Sequence, residues 1–101
     1  MDVYKQAYHA SLRIHYLIEG DDDLRGQVKR ASRDVAAIIA QSSNALNSVA
    51  DSKGFLATAA RCADQVMVWL DFCRDLDILD ANAAQSLKSE YSAISDALAF
   101  E

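Results

Sequence analysis

Apolar residues return every three or four positions through most of the chain, and the longest run, Phe55, Ala59, Cys62, Val66, Trp69, Cys73 and Leu76, is unbroken. On an α-helix that spacing draws a stripe along one side, so it predicts a long helix over about 52–78, held against neighbours along its length. Three other segments repeat the rhythm. Val3, Ala7, Ala10, Ile14 and Leu17 predict a helix over about 2–18. Leu24, Val28, Ala31, Val35, Ile38 and Ser42, with Ile39 and Leu46 beside them, predict one over about 23–48. Ala84, Leu87, Tyr91, Ile94 and Leu98 predict one over about 81–99. The punctuation agrees: Gly20 stops the first segment, Asp21, Asp22 and Asp23 offer carboxylates to the second, Asp51 or Ser52 can cap the third, and Asp80 the fourth. Short joints favour antiparallel neighbours, so the expected fold is an all-α, antiparallel up-down-up-down four-helix bundle, a single domain over residues 1–101.

Two helices carry more apolar surface than a bundle of this size can hide. Tyr4, Tyr8, Leu12 and Tyr16 form a second row on the first helix; Leu56, Ala63, Met67 and Leu70 form one on the third, with Val68 and Phe72 adding apolar surface elsewhere. Such a surplus predicts contact with another copy, through Tyr4, Tyr8, Leu12, Leu56, Met67, Leu70 and Phe72, with Trp69 and Phe72 as aromatic anchors. The competing reading is a wide core stripe beside a few exposed tyrosines.

Composition narrows the class. Proline is absent and there are three glycines, which leaves little material for tight β-turns. Hydrophobic residues make up 51% and charged residues 25%, the balance of a soluble globular protein. No stretch approaches the roughly 20 apolar residues that span a bilayer, and the start lacks a basic segment followed by an apolar run, so a cytoplasmic protein without a membrane partner is expected. Cys62 and Cys73 sit on one expected helix at a rise that separates them by roughly 16 Å, beyond disulfide reach, and read as reduced core residues.

Little in the chain points to catalysis. His9 and His15 are six residues apart, about 120° from a shared helix face. The cysteines are too distant to share an ion, and there is no glycine-rich phosphate loop, nucleophile elbow or His-Glu-x-x-His helix. No catalytic residue, metal or cofactor is expected. Asp64, Asp71 and Asp75 can align as an acidic patch, read as a solvated face or as a surface that pairs with bases. The basic residues cluster: Arg25, Lys29, Arg30 and Arg33 have no acid between them until Asp34, and Arg25, Lys29 and Arg33 step by four along one edge. Residues 1–50 hold six basic and six acidic side chains, residues 51–101 four and nine, so the net charge of -5 belongs to the second half. The strip can hold phosphate groups, against the repulsion of an acidic molecule, or can pair with the acidic second half, within or between subunits.

Gln27-Val28-Lys29-Arg30-Ala31, followed by Val35 and Ile39-Ala40, resembles the Q-hydrophobic-basic-Arg-Ala motif of the four-helix-bundle proteins encoded in intervening sequences of bacterial 23S ribosomal RNA genes, a superfamily that includes the Avd-like accessory proteins of diversity-generating retroelements. Phe55-Leu56 with Ala59, and Asp75-Leu76-Asp77-Ile78-Leu79, resemble its Phe-Leu-x-x-Ala and Asp-Leu-Gly-x-Leu segments. Residues 34–42 depart from the Ser-Ile-Pro-x-Asn-Ile-Ala-Glu-Gly of the intervening-sequence group, and Arg61, Cys62 and Gln65 stand at its Gly-Ser and later Glu, which draws the chain towards the Avd-like branch. The resemblance implies a non-enzymatic bundle that closes into a homopentameric ring; Avd-type members are basic and bind nucleic acid and a reverse transcriptase. Here Arg25, Lys29, Arg30 and Arg33 would carry contacts to RNA, DNA or such a partner. Two functions are therefore expected in competition: an oligomeric accessory or scaffold protein, and an acidic protein-protein interaction module without nucleic-acid binding. A helical nuclease of the HEPN type comes third, because it needs Arg-x4-6-His, no histidine follows residue 15 and only Arg13 precedes His15.

Overall fold

Three of the four helices start where a side chain takes up a free backbone amide, while the second starts at Asp22 without the carboxylate cap expected there. In the computed structural model, which describes residues 2–44 and 46–99, α1 spans Val3–Leu17, α2 Asp23–Ser42, α3 Val49–Asp75 and α4 Ala81–Ala99. Asp80 Oδ1 accepts from the Ala83 amide at 2.7 Å to open α4, as expected, and Asp2 Oδ1, not among the expected caps, accepts from the Tyr4 amide at 2.9 Å to open α1. Helix α3 begins earlier than the sequence predicts. Its cap is Ser48, in place of Asp51 or Ser52: Ser48 Oγ accepts from the Asp51 amide at 3.0 Å while Asp51 Oδ2 accepts from the Ser48 amide at 3.3 Å. This reciprocal box fixes the first turn.

Helix α2 stops at Ser42, short of the expected 48. Polar side chains beyond that point bond the backbone in competition with the helix: Asn47 Nδ2 donates to the Gln41 carbonyl at 2.7 Å and Asn44 Oδ1 accepts from the Leu46 amide at 2.9 Å. Leu46, expected beside the seam, is 93% exposed as a result. Helix α3 ends in a left-handed turn, where Ile78 N donates to the Cys73 carbonyl at 2.8 Å and Asp77 N to that of Arg74 at 3.1 Å, with Asp77 at φ 61°.

The core follows the predicted stripes with one rotation. All five stripe residues of α4 are buried, and Ala7, Ala10 and Ile14 of α1 meet Val28, Ala31, Val35, Ala36 and Ile39 of α2. On α3 the inward side is centred on Ala59, Ala63, Val66, Leu70 and Cys73, while Leu76 at its end is exposed, as is Leu17. Ala63 and Leu70, read as surplus surface, therefore belong to the core, and Leu70 is withdrawn as an intersubunit contact because no part of it reaches the surface. Leu56 and Met67 are half-buried against the same core. Both cysteines are free thiols, Cys73 buried and Cys62 partly so.

Helix α2 touches α1 and α3, and α4 touches α1 and α3; among the described residues the pairs α1/α3 and α2/α4 make no close backbone approach. Ser11 faces Ser32 and Gly20 faces Lys29 across α1 and α2, while Asp71 meets Lys88 and Asp64 meets Ser95 across α3 and α4, so numbers rise on one helix as they fall on its neighbour. The particle measures 43 × 22 × 18 Å.

Candidate functional site

Tyr4, Tyr8 and Leu12 repeat every four residues on the edge of α1 that faces α2, and the opposite bank presents the small side chains of Ala36, Ala37 and Ala40. Large residues facing small ones leave a gap. The result is an open groove of about 340 Å³, apolar along its walls, with Ser11, His15 and Arg33 as its polar members. Tyr8 is 46% exposed and its ring lies 6.2 Å from that of Tyr4. His15 Nδ1 is 2.9 Å from the Ser11 carbonyl, which can only accept, so this nitrogen carries the proton and Nε2 faces Arg33 Nη1 at 3.4 Å as an acceptor. His9 is exposed on the outer side of α1. The two histidines do not converge.

A second apolar surface lies on α3. Val68, Phe72 and Leu76 are four residues apart, and each is at least half exposed; the Trp69 ring, itself half-buried against the core, stands 5.9 Å from that of Phe72. Of the expected intersubunit residues, Tyr4, Tyr8 and Leu12 share the groove and Phe72 belongs to this ridge, while Leu56 and Met67 are partly buried against the core.

The cationic strip is partly engaged. Arg25 pairs with Asp22 at 2.7 Å, an ion pair that holds the Asp22 carboxyl below its ordinary range, and Lys29 donates to the Gly20 carbonyl across the α1/α2 joint. Arg30 and Arg33 are exposed, Arg30 beside Asp21–Asp23 and Arg33 at the groove. Among the described residues none of the four pairs with the acidic second half of the same chain: their partners lie in α1 and in the α1/α2 joint.

The acidic patch pairs within its own half. Asp71 takes Lys88 of α4 at 2.7 Å and Arg74 at 3.2 Å, and the Lys88 hydrogen bond holds its carboxyl below the usual range; Arg74 also meets Asp75 at 2.9 Å. Arg13 ties α1 to α4 through Glu90 and Ser86. Burial raises both cysteine thiols, which keeps them protonated and poor nucleophiles. No three His, Cys, Asp or Glu side chains among the described residues gather as metal ligands, and no described helix is long and apolar enough to cross a membrane.

One interior feature escaped the sequence. Ser11 and Ser32 meet inside the bundle at 2.8 Å, and Tyr91 buries its phenol completely, without a hydrogen-bond partner among the described residues. The signal was present in part, since Ser11 and Ser32 each follow a buried residue, Ala7 and Val28, by four.

The curated proteins and the solved structures contain no match to the chain. The family model described as 23S rRNA-intervening sequence protein matches residues 1–99, and with its four helices the chain belongs to that family.

Proposed function

We propose that the chain is a non-enzymatic, homo-oligomeric scaffold or accessory protein, an up-down-up-down bundle that closes with copies of itself into a ring. The observation that carries this reading is the unfilled apolar groove between α1 and α2: a monomer gains nothing by holding Tyr4, Tyr8 and Leu12 half in water opposite three alanines. The ridge on α3 adds a second unpartnered surface. The falling and rising registers across α1/α2 and α3/α4 support the up-down order, and the resemblance to Avd-like proteins supports the closed ring. Sedimentation equilibrium tests it: an assembled species with helical circular dichroism upholds the proposal, and an 11.1 kDa particle at all concentrations rejects it.

Through Arg30 and Arg33 the assembly would contact RNA, DNA or an acidic partner such as a reverse transcriptase. A ring repeats this pair of cations around its circumference, so several weak contacts act together on one partner. The second reading, an acidic interaction module that leaves nucleic acid alone, is favoured by the internal engagement of Arg25 and Lys29. Chromatography on immobilised nucleic acid at low salt separates them, since only the first predicts retention.

A further inference from the structure

The two unpartnered surfaces differ in shape and in charge, and each supplies what the other lacks. The α1–α2 groove is concave, floored by alanines, and its formally charged member is the exposed Arg33. Val68, Phe72 and Leu76 form a convex ridge, and the carboxylates of Asp71 and Asp75, beside Phe72 and one turn beyond it on α3, are paired with Lys88 and Arg74 yet leave 40% and 68% of their side-chain surface in water. All of the net negative charge resides in the half of the chain that contains the ridge. Groove against groove would face Arg33 with Arg33, and ridge against ridge would set one protruding surface on another and fill no groove. Each of those unions also leaves the other surface bare.

We infer that the α3 ridge of one copy seats in the α1–α2 groove of the next, Phe72 filling the space between Tyr8 and Ala37 while Arg33 approaches the carboxylates beside the ridge. The contact is intermolecular by construction. Helices α1 and α3 occupy opposite corners of the bundle, so the ridge of a chain has no access to its own groove. Because the two surfaces are unlike, the junction is head-to-tail, and repetition satisfies every copy only when the chain of contacts closes. This inference rests on the oligomer proposed above and adds to it the identity of the two faces and their polarity.

Two surface variants test it by complementation. Ala37→Arg fills the groove and leaves the ridge intact; Phe72→Glu spoils the ridge and leaves the groove intact. Both positions are exposed on helices, and the incoming residues are good helix formers, so circular dichroism should match the wild type. Each variant alone is expected to sediment as 11.1 kDa, and an equimolar mixture as a complex of two chains with nothing larger, because the mixture contains one intact groove-ridge junction per pair. Assembly by the Phe72→Glu variant alone, or by the Ala37→Arg variant alone, would overturn the head-to-tail pairing, as would a mixture that stays monomeric. A wild-type protein that is itself monomeric overturns the oligomer proposal and this inference together, whereas an assembled wild type with failed complementation overturns only the choice of faces.

Discussion

Ser11 of α1 and Ser32 of α2 share a hydrogen bond of 2.8 Å in the interior, and its direction follows from counting protons. Ser32 has one hydroxyl hydrogen and gives it to the Lys29 carbonyl at 2.7 Å, so Ser11 must donate and Ser32 accept. Ser11→Ala therefore removes a donor and leaves Ser32 satisfied, at a cost of about 1 kcal/mol. Ser32→Ala strands the Ser11 hydroxyl in the core and should cost more, about 1–3 kcal/mol. Urea unfolding at one protein concentration measures both, and the double variant should lose less than the two single losses combined. Equal and additive losses would contradict the pairing.

Tyr91 should make the fold sensitive to alkali. Burial, reinforced by the Glu90 carboxylate, raises its phenol well above the ordinary 10.0. The unfolded chain ionises this tyrosine near pH 10 while the folded chain does not, so the contribution is fully present below that pH and is lost above it. Its slope is at most about 1.4 kcal/mol per pH unit. In Tyr91→Phe this part of the alkaline slope should vanish. Near pH 7 the same variant should be neutral or up to about 1 kcal/mol more stable, because the phenolic oxygen lacks a partner. Identical stability profiles from pH 9 to 11 would refute the assignment.

Asp77 occupies the left-handed position that closes α3, at φ 61°, where the resembling segment of the family has glycine. A β-carbon is unfavourable there, and a carboxylate adds negative charge to the negative end of the helix. Asp77→Gly should raise stability by about 0.5–1 kcal/mol, read as a shift of the urea midpoint at constant slope. A loss of stability would mean that the Asp77 side chain supports the turn.

The strip makes a graded prediction. Arg25 and Lys29 have internal acceptors, so Arg30→Gln with Arg33→Gln should remove most retention on immobilised nucleic acid and leave helix content unchanged. Arg25→Gln with Lys29→Gln should reduce retention less and destabilise the α1/α2 joint more. Retention unaltered by all four changes would take the strip out of the function.

What could be read in advance depended on contrast. On α4 the positions between Ala84, Leu87, Tyr91, Ile94 and Leu98 are mainly polar or small, so the stripe had one interpretation and all five residues are buried. Helix α3 has apolar residues on most of its circumference. Its periodicity announced a helix but set Leu76 inward and Leu70 outward, the reverse of what packing against α2 and α4 produces. The end of α2 was lost for a local reason, because Asn44 and Asn47 bond backbone groups that a longer helix would have used. The tyrosine row and the cations were visible on their own helices. The groove was not, since it exists only where Tyr4 and Tyr8 of one helix face Ala37 and Ala40 of another.

Self-association is the claim on which the functional account depends, and sedimentation equilibrium over a wide concentration range addresses it most directly. The account predicts one species whose mass is a fixed multiple of 11.1 kDa, unchanged on dilution until the ring dissociates as a unit. A mass of 11.1 kDa that persists at the highest concentration reached would contradict it.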